Sequence, residues 1–570
     1  MVDLKENGMS DVVSVVERAH VQEKAALSET LSPDELYFRE QVEAIRRVYA
    51  LIHPKERVRI VLRALDHARG APEGVTIVHG NPGFPAVDAA YLGYVDFGGS
   101  TAAKTNKAKK IDVTIFVGIP RPFRQGQEVQ EKTAPDFQNH PLLERLLWAS
   151  PMMFEQLKYQ YEKRSRQQCL KRHSFTQIKR ATLRPIGDLV RDRNLTKAPA
   201  ILIGFHWLEM GGAEKLAFDC VKWARAAGLR VLVVADQAEI QRLAPKLEGD
   251  PNVEFIRADA YLHPSKWYDF LVNLIATENI RAIHIHHNLK LYDNLMMLKA
   301  TFPDLVAIDS THIIEHTTGG FPRTSGVWTQ YIDYHHVIDR ELVSFYLDKF
   351  GVSKKVLLGR MLDPVEIQAD TTTPDLRLQV GQKFCRLVFI GRMVHQKRAP
   401  LVVAIASKLH RWAKQQSVTL QVDMVGTGAY LDVVKNMIKR ANLSNVITLH
   451  PADTDVPALL GKADILLLPS SNEGLALVCY EAIENGVIPI STNVGGQKEL
   501  VAEGLLVPAS PQRCVRATVA LIERLLTDSD FLENCKVDTL AQYRNLRADP
   551  TAEETLGTLY RDIAESSIEQ

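Results

Sequence analysis

Short apolar runs alternate with amphipathic helical stretches along the chain from Pro199 to about residue 525. Each run is almost continuously apolar, which is typical of strands in a parallel sheet whose two faces are both covered by helices. The rhythm breaks once, over residues 360–385, where Pro, Asp and Thr accumulate as in a linker. The runs before this break are AILIGFHWLE, LRVLVVAD, NVEFIRAD, IRAIHIHH and DLVAIDSTH, and those after it are RLVFIG, TLQVDMVG, NVITLHP, DILLLPS and VIPISTN. The pattern predicts two doubly wound, Rossmann-like α/β domains that bind ligands in the cleft between them, outside the carboxyl ends of their strands.

The chain of 570 residues is too long for a single hydrophobic core. We predict an N-terminal accessory α/β region of uncertain fold over residues 1–195. Its helical stretches (10–70) and isolated strand-like pieces, GVTIVHG and IDVTIFVGIP, form no complete β-α repeat. The first Rossmann-like domain is expected at 196–365 and the second at 380–525, followed by C-terminal helices at 526–570.

Composition argues against several classes of protein. The 69 basic residues balance 68 acidic ones, so the chain as a whole is not suited to binding a polyanion. The six cysteines show no CxxC spacing, which argues against a zinc site or a disulfide framework and fits a reducing compartment. The opening MVDLKENGMSDVVSVVERAH reads as an amphipathic helix rather than a signal peptide, and no apolar run approaches the roughly 20 residues that span a bilayer. We therefore expect a cytoplasmic protein, at most peripheral at the inner face of a membrane.

The stretch SSNEGLALVCYEAIENG combines two carboxylates with a glycine turn. It begins where the strand DILLLPS ends, so the first N–H groups of the next helix face the predicted cleft and attract anions. In one interpretation Glu473 caps these donors, and Glu481 is a buried carboxylate held by a nearby hydroxyl or amide. In the other, each carboxylate binds vicinal hydroxyls of a sugar or a ribose through its two acceptor oxygens. A ligand would then offset the several kcal/mol that burying Glu481 unpaired would cost.

Two further strand ends of the second domain carry groups suited to a nucleotide. In FIGRMVHQKRAP, Arg392 follows a strand and Lys397 opens the next helix, so the two cations can clamp a diphosphate; a solvated basic loop is the alternative. In VGTGAYL, Gly426 and Gly428 form a tight turn that permits close backbone approach to a base or ribose. A short Gly-x-Gly is a weak signal by itself.

The first domain has a similar loop on the opposite side of the cleft. In HWLEMGGAEKLAF, Gly211 and Gly212 join the first strand to its helix, and we expect them to allow positive φ and close approach of a ligand. Glu209 and Glu214 fit a plain βα turn equally well.

Histidines end two strands of the first domain, in IHIHHN and STHIIEH. HIHH suggests a metal site, but no carboxylate or cysteine accompanies it at ligand spacing. We expect His312 and His316 to line the acceptor side of the cleft, with an ordinary core or surface role as the alternative. The strings DTD (453–455) and DSD (528–530) lie at helix boundaries and are expected to cap or turn the chain rather than to bind metal.

The string EGLALVCYEAIENGVIPISTNVGGQKELV, with its E-x7-E spacing, resembles the signature of family-four retaining glycosyltransferases, which have the GT-B fold. The resemblance implies that Glu473 contacts the transferred sugar and that Glu481 contacts the ribose of the nucleotide. It also implies that the backbone at Gly474 and Leu475 meets sugar or phosphate. One departure is Ala476, which stands where the family often has Gly and crowds the loop slightly.

The same resemblance extends over about residues 199–525. It implies that Arg392 and Lys397, which match the family's G-R-x4-K element, bind the donor diphosphate as it leaves. The V-G-x-G and G-G turns would line the site, and His286, the second histidine of HIH, would lie beside the transferred sugar. Catalysis without a metal ion or other cofactor is expected.

These observations predict a hexosyltransferase-type retaining enzyme that moves a sugar from a nucleotide diphosphate sugar to a hydroxyl acceptor. The expected acceptor is a glycan or lipid-linked glycan of polysaccharide or lipopolysaccharide biosynthesis, and no nucleic acid is expected as a partner. Residues 158–193 hold eleven Lys or Arg against three acidic residues, which indicates either a solvated connector or a surface for anionic membrane or glycan. The alternatives are a GT-B phosphorylase, a nucleotide-sugar epimerase, or a non-catalytic protein that binds glycans or nucleotides.

Overall fold

The computed structural model describes residues 32–54, 56–65, 76–79, 91–98, 112–120, 140–171, 190–209, 211–362 and 374–566. These residues form one small mixed sheet and two large parallel sheets. The predicted N-terminal amphipathic helix and residues 172–189 of the basic stretch lie outside the described residues.

The small sheet belongs to the accessory region. Its strands are β1 (Arg57–Leu65), β2 (Thr76–His79), β3 (Tyr91–Gly98) and β4 (Asp112–Pro120), in the order β2-β4-β1-β3, and the helices of the region are Pro33–Ile52, Pro141–Ala149 and Pro151–Lys171. The expectation of helix over residues 10–70 is wrong for β1. There Val58, Ile60 and Leu62 are buried and alternate with Arg57, Arg59 and Arg63, which is the period of two of a strand, and only Val61 is buried on the other face.

The accessory region packs on both large domains. The apolar face of helix Pro33–Ile52 joins the core of the first domain, and the Tyr49 hydroxyl donates to the carbonyl of Tyr261 at 2.8 Å. Helix Pro151–Lys171, which we call the accessory helix, packs on the second domain, where Phe154 belongs to the core. The accessory helix therefore lies close to the loops of the second domain.

The first large domain is a seven-stranded parallel sheet in the order β11-β10-β9-β8-β5-β6-β7. Its strands are β5 (Ala200–Phe205), β6 (Arg230–Ala235), β7 (Val253–Ile256), β8 (Ile280–His286), β9 (Val306–Thr311), β10 (Tyr334–Val337) and β11 (Val356–Leu358). Its helices are Gly212–Ala226, Ala258–Tyr261, Trp267–Glu278, Leu289–Thr301, Gly320–Val327 and Arg340–Phe350, with 3-10 turns at Ala244–Leu247 and Pro264–Lys266. The apolar runs predicted β5 to β9, whereas the short strands β10 and β11 were not predicted.

The second large domain is a six-stranded parallel sheet in the order β14-β13-β12-β15-β16-β17. Its strands are β12 (Phe384–Ile390), β13 (Thr419–Val425), β14 (Ile447–His450), β15 (Ile465–Leu468), β16 (Ile488–Thr492) and β17 (Leu506–Val507). Its helices are Ala399–Gln415, Leu431–Arg440, Val456–Leu460, Leu477–Glu484, Pro511–Thr527 and Ser529–Arg547, with 3-10 turns at His395–Lys397, Gly495–Glu499 and Glu503–Leu505. The two sheets confirm the predicted GT-B architecture of paired Rossmann-like domains.

The last helix, Ala552–Glu565, returns to the first domain. Its Leu556 and Tyr560 are buried in the core that covers one face of the first sheet. The chain thus leaves the first domain after β11, enters the second before β12, and returns just before this helix. The two crossings meet, because Arg360 forms a parallel bridge with Thr551 and pairs with Asp549 at 2.6 Å.

Two smaller expectations can be compared with the structure. Asp455 and Asp528, from the DTD and DSD strings, cap helices: each carboxylate accepts a backbone N–H, that of Ala458 and that of Phe531, both at 3.0 Å. Within the described ranges, no helix is long and apolar enough to cross a lipid bilayer.

Candidate active site

An ion pair at the carboxyl ends of β12 and β15 forms the centre of the candidate site. These strands are neighbours in the sheet, so the loops that follow them meet. Lys397 Nζ lies 2.7 Å from Glu473 Oε1, and the two side chains are 19% and 7% exposed. Glu473 therefore does not cap the next helix: the N-cap of helix Leu477–Glu484 is Ala476, which makes no side-chain cap. No described side chain caps this helix terminus, and the Cys479 N–H donates to the Ala476 carbonyl at 2.9 Å.

Glu481 is exposed, and the expectation of a buried carboxylate is wrong. The physical reason is helical periodicity: Cys479, Ala482 and Ile483 face the core, and Glu481 lies on the opposite face of the helix. Its pKa is raised by partial desolvation, while Lys215 across the cleft acts in the opposite direction. The carboxylate is thus accessible to a ligand.

Charges of the two domains face each other across the cleft. Arg392 is exposed on the second domain and interacts electrostatically with Glu214 of the first, where it opposes the desolvation that raises the pKa of Glu214. Lys215, the neighbour of Glu214, faces Glu481 in the same way. Glu473, Lys397 and Glu481 all influence the thiol of Cys479, whose pKa is raised mainly by burial. Lys397, Glu473 and Glu481 therefore lie near one thiol in the first turn of helix Leu477–Glu484, and Arg392 lies in the same loop as Lys397.

Gly426 and Gly428 support the loop that carries Arg392. Both have positive φ, at 132° and 137°, and a Cβ would lie 2.2 Å from the carbonyl oxygen of Gly391 or 2.8 Å from that of Met393. The close approach that these glycines permit in the structure is therefore to the neighbouring loop. Any contact of this turn with a base or ribose stays a prediction.

The paired glycines of the first domain differ from expectation. Gly211 is extended at φ −177°, and Gly212 is not among the residues with positive φ. Instead, a Cβ on Gly211 would lie 2.0 Å from Glu214 Oε2, so the glycine leaves room for a carboxylate that also accepts from Trp207 Nε1 at 2.9 Å. Glu209, by contrast, pairs with Arg242 at 2.8 Å, as a plain βα turn would allow.

The loop around Gly474 contacts the first domain. A Cβ at Gly474 would lie 2.1 Å from the carbonyl oxygen of His312, and Asn472 Nδ2 donates to the carbonyl of Ile314 at 2.8 Å. Gly495 backs this loop with φ 57°, and a Cβ there would lie 1.7 Å from the Glu473 carbonyl oxygen. Leu475 is buried in the core of the second domain, which fixes the backbone around Glu473.

The strand-end histidines of the first domain are neutral. His286 is 3% exposed beside Phe205 and His284, and neither of its ring nitrogens has a hydrogen-bond partner among the described residues. His312 Nε2 is also without a partner there. Burial and neighbouring imidazoles hold the pKa of both histidines well below 6.5. His287, which the sequence reasoning did not select, is half-buried next to His312 at 5.1 Å and stacks on Phe321 at 4.3 Å.

A cysteine does lie close to the histidines of HIHH, contrary to expectation from spacing. Ligand atoms of Cys220, His284 and His286 lie within 4.8 Å of one another, all in the core. Both nitrogens of His284 are already bonded, to the hydroxyls of Tyr560 (2.6 Å) and Ser310 (2.9 Å). Burial also raises the pKa of the Cys220 thiol, which disfavours the thiolate that metals prefer. We describe this group as a hydrogen-bonded core cluster.

His316 links three parts of the molecule. Its Nε2 donates to the carbonyl of Ser471 at 2.9 Å, and its Nδ1 lies 3.4 Å from a guanidinium nitrogen of Arg166 on the accessory helix. Arg166 also pairs with Glu341 of the first domain at 3.0 Å. A cavity of about 330 Å³ lies between the accessory helix and the Ser471 loop, with His316 in its wall.

Comparisons with known proteins agree with this geometry. Residues 377–539 match the family described as "Glycosyl transferases group 1". D-inositol 3-phosphate glycosyltransferase of Arthrobacter sp. (strain FB24) is 33% identical over 139 residues, 23% of this chain and 32% of the relative. One component of the phosphatidylinositol N-acetylglucosaminyltransferase of Homo sapiens is 22% identical over 348 residues, 57% of this chain and 68% of the relative.

Solved structures include similar folds. The sucrose-phosphate synthase of Thermosynechococcus elongatus has a TM-score of 0.48 and 19% identity, and the match covers 65% of this chain and 100% of that one. The chain spans about a third of the length of the first of the relatives named above. The family match over residues 377–539 lies in the second domain and includes the loops that carry Arg392, Lys397 and Glu473.

Proposed function

We propose that the protein is a retaining glycosyltransferase that moves a sugar from a nucleotide diphosphate sugar to a hydroxyl acceptor without a metal ion. The observation that carries the proposal is the Lys397–Glu473 pair beside the first turn of helix Leu477–Glu484, with Arg392 in the same loop as Lys397. Cations beside a helix N-terminus are the groups that a departing diphosphate needs. The group 1 glycosyltransferase match over residues 377–539 covers these loops.

The donor is proposed to lie mainly on the second domain. Arg392 and Lys397 take the diphosphate, and Glu481, exposed at the mouth of the crevice, accepts from the ribose hydroxyls. Glu473 accepts from the transferred sugar. Because Glu473 is already paired with Lys397, both side chains are held in place before the donor arrives, which lowers the reorganisation that binding requires.

The acceptor is proposed to approach from the first domain. His312 at the end of β9 carries a neutral ring, and a neutral imidazole can bind a hydroxyl as donor or acceptor, whereas His286 lies in the core with both ring nitrogens enclosed. The acceptor hydroxyl attacks from the face on which the leaving group departs, so we assign no protein nucleophile. The closed contact between Gly474 and the His312 backbone supports a cleft that excludes water around the reacting atoms.

Two of the relatives bear names that mention inositol, which places inositol phosphate and phosphatidylinositol among the acceptors to be tested beside glycans and lipid-linked glycans. The basic residues of 158–193 would suit an anionic membrane face, and a cytoplasmic enzyme peripheral to that face is the corresponding location. A phosphorylase or epimerase remains an alternative, which product analysis separates from transfer.

The test is a thermal-shift screen of UDP-, GDP- and ADP-sugars, because a ligand that binds only the folded state raises its apparent stability. The best donor is then incubated with candidate acceptors, and the anomeric configuration of the product is determined by NMR. Retained configuration in a new glycoside is expected. A product of inverted configuration would overturn the retaining assignment, and a sugar phosphate or an epimerised donor without acceptor would overturn transfer altogether.

A further inference from the structure

The accessory helix presents two buried carboxylates to the loop that carries Arg392 and Lys397. Glu155 and Glu162 are seven residues apart, two turns of helix, and so lie on the same face. They are 0% and 8% exposed. Ionised side chains are rarely buried unless they are paired, so each requires a partner.

The first partner is His395, in the 3-10 turn His395–Lys397. Its Nε2 lies 2.8 Å from Glu162 Oε1, and its Nδ1 lies 3.3 Å from Glu155 Oε1. A neutral imidazole has only one N–H, so contact with two carboxylates favours the imidazolium form. The turn that positions Lys397 is therefore held by charge from the accessory helix.

The second partner is Arg398, which is fully buried and has a strained φ of 50°. Its Nε lies 3.5 Å from Glu155 Oε2, its Nη1 donates to the Ala509 carbonyl at 2.6 Å, and its guanidinium lies over the Tyr159 ring at 5.5 Å. A residue held at positive φ needs its surroundings to keep it there, and here the accessory helix supplies two of the three contacts.

The groups around His395 come from several elements. Lys158 of the accessory helix and Arg398 are cationic, Glu155 and Glu162 are anionic, and the Tyr430 ring lies 6.4 Å from the imidazole. Burial alone would lower the pKa of His395, but the two carboxylates outweigh it and the pKa is raised. Burial alone would raise the pKa of Glu162, but His395 outweighs it and the pKa is lowered.

We propose that Glu155 and Glu162 are positioning residues for the donor site. They pair with His395 and Arg398 and thereby fix the turn from which Lys397 reaches Glu473. The accessory helix is then a working part of the nucleotide site. This inference rests on the proposed function, since the loop it positions is the proposed diphosphate loop.

The pairing of His395 with Glu162 depends on pH. A histidine whose pKa is raised in the folded state stabilises it fully below its ordinary pKa of 6.5 and loses that contribution as pH rises through the raised value. A glutamate whose pKa is lowered stabilises fully above 4.5 and loses its contribution as pH falls through the lowered value. The pairing of His395 with Glu162 is therefore strongest between about pH 4.5 and 6.5 and weakens toward alkaline pH.

The experiment is a double-mutant cycle in the full chain with Glu162→Gln, His395→Gln and the double variant, followed by titration of UDP and GDP from pH 6 to 9. Each single substitution is expected to weaken binding of the preferred nucleotide about fivefold to tenfold, and the double variant no further, because one interaction is lost in each case. The wild-type affinity should fall with rising pH, and His395→Gln should flatten that fall. Glu144→Gln, an exposed glutamate on helix Pro141–Ala149, is the matched control and should leave affinity unchanged.

Hydrogen exchange of residues 392–398, measured without nucleotide, provides a second readout. Faster exchange is expected in Glu162→Gln and in Glu155→Gln, and not in Glu144→Gln. Additive losses in the cycle, or wild-type affinity with wild-type exchange in Glu162→Gln, would overturn the inference. If the wild-type chain binds neither nucleotide, the proposed function fails instead, and the exchange data still report whether the helix holds the loop.

Discussion

The loops of the second domain and the strand-end histidines of the first domain differ in charge, although Glu214 and Lys215 of the first domain also carry charge at the cleft. On the second domain, functional groups are charged and already paired, as in Lys397–Glu473 and His395–Glu162. On the first domain, the strand-end histidines are neutral, and His286 and His312 have ring nitrogens without partners among the described residues. The difference indicates a division of labour. A charged leaving group needs fixed counter-charge, whereas a neutral sugar or acceptor hydroxyl needs hydrogen-bonding groups that carry no charge.

The largest effect is expected from removing Lys397, the cation that pairs with Glu473 on the second domain. Lys397→Ala should lower kcat for sugar transfer by roughly 10² to 10³, because one preorganised group at the leaving charge is lost. Steady-state kinetics against the preferred donor measures this. Lys408→Ala, on an exposed position of the following helix, is the control. A loss below threefold in Lys397→Ala would remove the lysine from the leaving-group site.

The contact between the two domains should make stability depend on pH. Burial raises the pKa of Asp339, which lies against Gly496, to about 7 from an ordinary 3.8. An acid with a raised pKa stabilises the fold at low pH and loses that contribution as pH rises from about 4 through 7. Asp339→Asn keeps a cap for helix Arg340–Phe350 and should remove this loss, which is on the order of 3 kcal/mol between pH 5 and pH 8 at about 1.4 kcal/mol per pKa unit. Urea unfolding at pH 5 and pH 8 measures it, and equal pH dependence in both proteins would contradict the assignment.

A smaller effect is expected at Glu481, the exposed carboxylate of the second domain. Glu481→Gln keeps the shape and removes the charge, so it should weaken nucleotide binding about tenfold, since hydrogen bonds to a charged group contribute roughly 1.5–3 kcal/mol. Isothermal titration of UDP and GDP is the measurement. Glu503→Gln, in an exposed turn, serves as the control. Unchanged affinity in Glu481→Gln would end the ribose assignment.

The smallest effect is expected at the strand-end histidines of the first domain. His312→Gln should lower kcat/KM for the sugar donor severalfold, in line with a neutral hydrogen bond of about 0.5–1.5 kcal/mol, and should leave UDP and GDP affinity unchanged. Measuring kcat/KM and nucleotide affinity in the same variant separates an effect on the sugar from an effect on the nucleotide. A loss of nucleotide affinity equal to the loss of kcat/KM would show that the histidine does not act on the sugar side.

Much of the fold could be predicted because buried parallel strands are mostly apolar runs, as β5 to β9 and β12 to β16 are. Glu481 shows a signal that was present but unused: helical periodicity places it opposite Cys479 and Ile483. β1 shows another, since its alternation of buried and exposed residues indicates a strand and not a helix.

Other features have no local signal in the sequence. The Lys397–Glu473 contact joins residues 76 positions apart, and the His395–Glu162 contact joins residues 233 positions apart. Only tertiary packing brings such side chains together. Lys215 is an intermediate case, because its position just after the G-G turn, at the start of a helix that faces the cleft, was a usable clue.

The central claim is that the loop with Arg392 and Lys397 binds a diphosphate. Titration of nucleoside mono- and diphosphates tests this claim most directly. We expect UDP or GDP to bind the wild-type chain at least tenfold more tightly than the matching monophosphate, and Lys397→Ala to abolish that difference. Equal affinity for mono- and diphosphates in the wild-type chain, or a preference that survives in Lys397→Ala, would contradict it.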